Sequence, residues 1–86
     1  MTFTHHYDDS SAWLEVPMET VQELGVESKI THNSRVDGTT VYLNFDIEAL
    51  EFIWAYEKKH DQPLKRKLKY TPVSFINYLE RFKHAV

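Results

Sequence analysis

Apolar and polar positions along this chain alternate with period two in three places and switch to helical spacing in three others. Ser11 to Val16 puts Ala12, Leu14 and Val16 on one side and Trp13 and Glu15 on the other, the alternation of a half-buried strand. Pro17 suits the first turn of a short helix whose stripe is Met18, Val21 and Leu24, with Gly25 at the position just past its end. Asp37-Gly38 separates two extended runs and predicts a type I′ hairpin, because both central residues of that turn need positive φ. Such a loop pairs Val36 with Thr39. Ser34 then faces Val41, His32 faces Leu43 and Ile30 faces Phe45 on the core side, leaving Asn33, Arg35, Tyr42 and Asn44 on the other.

Asp46 is a good N-cap for a helix reaching about His60, with Ile47, Leu50, Ile53 and Trp54 as its apolar stripe. Glu48 in its first turn and Lys58, Lys59 and His60 in its last complement the helix dipole. Leu64 to Tyr70 alternates again, with Lys65, Lys67 and Lys69 on one face. Thr71-Pro72 predicts a last helix in which Phe75, Ile76, Leu79 and Phe82 face the core. The element order is β-α-β-β-α-β-α. This is an α+β fold, a small and mostly antiparallel sheet with helices on one face, resembling a ferredoxin-like split βαβ with an added C-terminal helix. The competing arrangement is a smaller sheet whose N-terminal strand pairs elsewhere.

Length and composition narrow this picture. Eighty-six residues predict one domain, and 42% hydrophobic with 14% aromatic residues argues against disorder. Without cysteine there is no disulfide framework and no thiolate chemistry. Met1 to Tyr7 has neither the basic region nor the apolar core of a secretory signal, and the uncharged run Phe52 to Tyr56 is too short to cross a bilayer. These features predict a soluble protein of a reducing, cytoplasmic compartment.

Charge changes the picture more. From Met1 to Glu57 eleven carboxylates face only Lys29 and Arg35, a formal balance of −9. From Lys58 to Val86 eight cations face Asp61 and Glu80, a balance of +6. The net charge of −3 therefore hides a dipolar molecule, a property that bears on steering and partners rather than on fold.

Catalytic patterns are weak. His5, His6, Asp8 and Asp9, with Asp46 or His32, offer nitrogen and oxygen donors but match no metal-ligand spacing, and a polar turn bonding its own backbone competes with that reading. His32, on the apolar side of its strand, reads as a core histidine rather than a base. Ser10, Ser11, Ser34 and Ser74 lack nucleophile-elbow glycines, and Gly25 and Gly38 make no phosphate-cradling loop. These patterns predict a protein that is not an enzyme and has no cofactor. Lys65, Lys67 and Lys69, with Arg66, Lys58 and Lys59 near them, have the spacing to follow a nucleic-acid backbone, with Tyr70 or Tyr78 stacking on bases; lysines also protect an edge strand from aggregation. On the acidic half, Glu15, Glu19, Glu23 and Glu27 predict a docking surface anchored by an outward-facing Trp13.

The segments Asp9-Ser10-Ser11-Ala12-Trp13-Leu14-Glu15-Val16-Pro17, Glu23-Leu24-Gly25 and Val41-Tyr42-Leu43, with Asp46 and the stretch from Ser74-Phe75-Ile76 to Arg81-Phe82, resemble small uncharacterised proteins of bacteriophages and mobile elements. Ser11 and Ala12 stand where those relatives often carry His and Gly. The resemblance implies a phage setting in a bacterial host and no established activity. Together these readings predict a non-enzymatic interaction protein, an inhibitor of a host nucleic-acid-handling or defence complex of the anti-CRISPR kind. The alternative is a small nucleic-acid-binding or regulatory module using residues 64–70. Partners are then a host protein or nucleoprotein, nucleic acid, or a second copy of the chain, and no membrane.

Overall fold

The structure, a computed structural model, describes residues 1–72 and 75–83. Threonine, phenylalanine and tyrosine favour a pleated surface, and the chain opens with strand β1 (Thr2–Tyr7), where the sequence reading has only a polar turn. The turn is confined to the next residues. There Asp8 Oδ1 accepts hydrogen bonds from the backbone N–H groups of Ser10 and Ser11 at 2.8 and 2.6 Å. Strand β2 (Ala12–Pro17) returns antiparallel to β1 and sets His6 beside Trp13.

Pro17 closes β2 and serves as the N-cap of helix α1 (Met18–Glu23), one position earlier than the first helical turn expected for it. Gly25, at φ 70°, ends the helix as anticipated. Its N–H bonds Gln22 O at 3.1 Å and the next N–H, of Val26, reaches Val21 O at 3.3 Å, so left-handed backbone at Gly25 satisfies two otherwise open helix carbonyls.

Strands β3 (Arg35–Asp37) and β4 (Thr40–Asn44) form the hairpin around Gly38, which alone of the two loop residues has positive φ (61°). That places glycine first in the loop, the type II′ requirement, and pairs Asp37 with Thr40 and Val36 with Val41, not Val36 with Thr39. The two-residue slip leaves the paired residues of β3 and β4 on their expected faces, because faces alternate with period two, but His32, expected on the core side, lies before β3 and is exposed. The first arm is shorter than expected, since Glu27–Lys29 forms a 3₁₀ turn and Thr31 to Ser34 a loop.

Helix α2 (Ile47–His60) follows Asp46 and stops at Asp61, whose left-handed backbone (φ 51°) turns the chain into strand β5 (Lys65–Tyr70). The last described strand is β6 (Glu80–Arg81). The sheet order is β5-β1-β2-β4-β3-β6, and among the described residues only β1 and β5 are parallel neighbours. The fold is thus α+β with a mixed six-stranded sheet. β3 lies two strands from β2 with β4 between them, as a split βαβ demands, but β1 is inserted between β2 and β5 and only part of the expected order is present.

Both helices pack on one face. Leu14, Val16, Val41 and Leu43 of the sheet meet Val21 of α1 and Ala49, Phe52 and Tyr56 of α2. Phe3 packs its ring edge to face, in T-shaped pairs, against Phe52 and Tyr56, at centroid distances of 5.5 and 5.3 Å. The opposite face carries a smaller cluster of Trp13, Tyr42 and Ile76, with Leu79 packed on it.

That second cluster explains why the expected C-terminal helix does not form over the described part of 71–82; Val73 and Ser74 lie outside the described residues. Phe75–Tyr78 is a 3₁₀ turn that lays Ile76 on the outer face, and β6 then adds to β3. Phe82 joins the core on the helix side, its N–H bonded to Ser34 O at 2.9 Å. A straight helix presents its stripe to one face only, whereas Ile76 and Phe82 are needed on opposite faces of the sheet.

Candidate functional site

Period two decides where each β-strand candidate points. On β1, Phe3, His5 and Tyr7 face the helix side and Thr2, Thr4 and His6 the outer side. The parallel pairing with β5 carries this across, so Lys65, Lys67 and Lys69 stand beside Thr2, Thr4 and His6. All residues of β5 are exposed and the strand is an edge of the sheet. Tyr70 has the other parity and does not share the lysine face. It leans on Tyr7 and donates to Asp9 Oδ1 at 2.9 Å, a bond that raises its pKa above the ordinary tyrosine value. Arg66 likewise leaves the lysine row and lies over the Phe45 ring, 5.2 Å from its centroid.

The histidines part in the same way. His5 stacks on Phe45 at 4.2 Å, and burial, with Arg66 and then His6 adding like charge, lowers its pKa. His6 is buried on the other face, its Nε2 2.7 Å from Glu15 Oε1 and its ring edge-on to Tyr42 and Phe75. Asp8 is spent on its turn and on Asn77, and among the described residues no group of three or more His, Asp or Glu side chains is placed to hold a metal ion. The backbone bonds of Ser10 and Ser11 and the bond from Asn77 hold the Asp8 carboxyl below the usual aspartate range. Ser34 is equally committed: it donates to Glu48 and accepts from Asn44 N–H.

The acidic candidates do not form one surface. Trp13 is 3% exposed beneath Ile76 and Leu79, which corrects the expectation that it faces solvent. Glu15 is on the outer sheet face with His6. Glu19, Glu23 and Glu27 belong to the helix layer, where Glu23 meets Lys59 at 3.3 Å. Glu48, expected in a solvated first turn, is buried and ties α2 to the Thr31–Ser34 loop.

The exposed tryptophan is Trp54. Of the stripe expected to face the core, Ile47 is 67% exposed, Leu50 56% and Trp54 61%. The buried side of α2 is instead Ala49, Phe52 and Tyr56, with Ile53 half-buried beside them, itself a complete i, i+3, i+4, i+7 pattern that the sequence displays equally well. The phenyl ring of Phe3, on a strand absent from the sequence reading, selects it. With Lys29 and Glu51, which pair at 3.1 Å, the three exposed side chains line an open groove. Lys58 lies over the Trp54 ring, its ammonium 5.0 Å from the ring centre. Scattered exposed apolar residues are ordinary; here three share one helix face and are rimmed by charge.

Among the described residues no helix is long and apolar enough to cross a membrane. Comparison of the chain with protein-family models, curated proteins and solved structures finds no match.

Proposed function

We propose that this chain is a non-catalytic protein-interaction module that docks through the exposed face of α2. The observation that carries the reading is the contiguous stripe Ile47, Leu50 and Trp54, which the fold turns to solvent although the same helix has a second, complete core stripe. Glu19, Glu23 and Glu27 lie in the same layer, Glu23 paired with Lys59, and add acidic charge that would steer a basic partner, with Trp54 in the anchoring role expected of Trp13. The narrower form of the proposal draws on the resemblance of residues 9–17 to phage and mobile-element proteins: the partner is a host nucleoprotein complex and the chain its inhibitor. Capture from bacterial lysate, with and without nuclease, tests it. Retained proteins should survive nuclease and be lost with Trp54→Ser. Capture that does not depend on Trp54 overturns the reading.

A second reading rests on β5. Its lysines occupy a free sheet edge on the side where Phe75 is also exposed, beside His6 at 5.8 Å, a basic row next to an aromatic face. This nucleic-acid reading predicts anisotropy-measured binding of a labelled single strand that falls steeply with salt and disappears when Lys65, Lys67 and Lys69 are replaced by alanine. A flat salt response removes it.

A further inference from the structure

Leu50, Trp54 and Lys58 succeed one another at i+4 intervals along the outside of α2, and Asp46, the N-cap residue just before the helix, stands one interval earlier, so the row has acid at one end, apolar side chains in the middle and base at the other. Reversed, this row is its own complement. We infer that the occupant of the α2 face is a second copy of the chain, packed helix against helix in antiparallel sense about a two-fold axis beside residue 52. The inference rests on the docking role given to α2 above and names its partner.

The geometry follows from the numbering. An antiparallel pair centred on residue 52 brings Leu50 against Trp54 and Asp46 against Lys58, each contact occurring twice, as isologous association requires. The parallel alternative places Asp46 on Asp46 and Lys58 on Lys58 and aligns the two helix dipoles unfavourably. Among the described residues neither end group forms an ion pair inside the protomer: Asp46 makes no side-chain capping bond, and the Lys58 ammonium rests 5.0 Å from the Trp54 ring centre, from which it must swing to reach an acid across the contact. Glu51 and Lys29, already paired with each other, close one flank of the groove without adding net charge. Ile47 extends the apolar strip past Leu50. A contact built from a single pair of helices of this length, roughly 20 Å, falls at the small end of specific interfaces, so association should be reversible in the micromolar range.

Sedimentation velocity from about 1 to 500 μM tests this. The mass should rise with concentration from 10.2 kDa toward twice that value. Trp54→Ser and Leu50→Ser should each weaken association about 30-fold, the loss typical of a central anchor, while leaving the far-UV spectrum unchanged and, at concentrations where the parent is monomeric, the melting too, because both side chains are exposed in the protomer. Asp46→Lys or Lys58→Asp alone should weaken association, and the double exchange should restore it, an outcome that antiparallel pairing allows and parallel pairing forbids. A protein monomeric throughout this range overturns the inference, as does a dimer indifferent to Trp54 and Leu50. A monomer that still retains another protein through Trp54 defeats the second copy as occupant and leaves the docking role of α2 standing. Loss of both removes both.

Discussion

Ser34 Oγ donates a 2.8 Å hydrogen bond to Glu48 Oε1 at a point where both residues are buried. The same carboxylate accepts from Thr31 N–H at 2.7 Å and from Thr31 Oγ1 at 2.8 Å, while Ser34 Oγ accepts from Asn44 N–H at 3.0 Å. One glutamate thus joins the loop before β3, the end of β4 and the first turn of α2. It also sets the rotation of α2, and so which stripe of that helix meets the core.

Glu48→Ala should therefore cost about 1–3 kcal/mol, because the Ser34 hydroxyl stays buried without its acceptor and Thr31 loses both of its bonds to the carboxylate. Glu48→Gln, which keeps an acceptor oxygen, should cost less. Urea unfolding of the three proteins checks the order, and an Ala variant as stable as the parent would refute the role given to Glu48.

The two tryptophans should behave oppositely. Trp13→Ala empties the outer cluster and should cost about 3–5 kcal/mol, whereas Trp54→Ala, on an exposed helix face, should stay within about 0.5 kcal/mol when measured below the concentration at which the chain associates. Fluorescence adds an independent check. Acrylamide should quench the Trp54 emission of a Trp13→Phe protein readily and the Trp13 emission of a Trp54→Phe protein poorly.

Acid should weaken the fold in two steps of the same sign. His5 and Asp8 both have lowered folded-state pKa values. The unfolded chain therefore takes up protons first as pH falls, and the stabilisation each group contributes is complete above its unfolded value and lost as pH drops toward its folded one. For His5 the loss begins below the ordinary histidine value, and for Asp8 below the ordinary aspartate value. His5 Nδ1 is also buried without a partner among the described residues. His5→Phe keeps the stack on Phe45 and removes the titrating ring, so it should abolish the mildly acidic step in melting temperature and leave the lower one. A His5→Phe protein with an unchanged pH profile would contradict this.

Gly25→Ala should destabilise by about 1 kcal/mol through backbone strain alone. A Cβ built at this position meets nothing within 4 Å, so the cost measures the positive φ of the helix end and no collision. Thermal melts compared with Gly25→Asn, which tolerates left-handed backbone better, separate the two causes.

Local chemistry was legible in the chain where it acts over a few residues. Gly25 past the end of α1, Asp46 before α2, the alternation of Ala12 to Val16, the lysine row of β5 and the faces of the Gly38 hairpin all follow from backbone preference and period. What the chain left open was each choice between two locally equivalent answers. α2 carries two apolar stripes, and Phe3 and the Glu48 network select Ala49, Phe52 and Tyr56 over Ile47, Leu50 and Trp54. Trp13 lies on the side of β2 away from the helices, and only the return of Ile76 and Leu79 from far along the chain covers it. Residues 75–82 have helical periodicity, yet Ile76 and Phe82 are drawn to opposite faces of the sheet. Periodicity specifies which residues share a face; which face is buried depends on what arrives from elsewhere in the chain to cover it, and only the tertiary structure decides that.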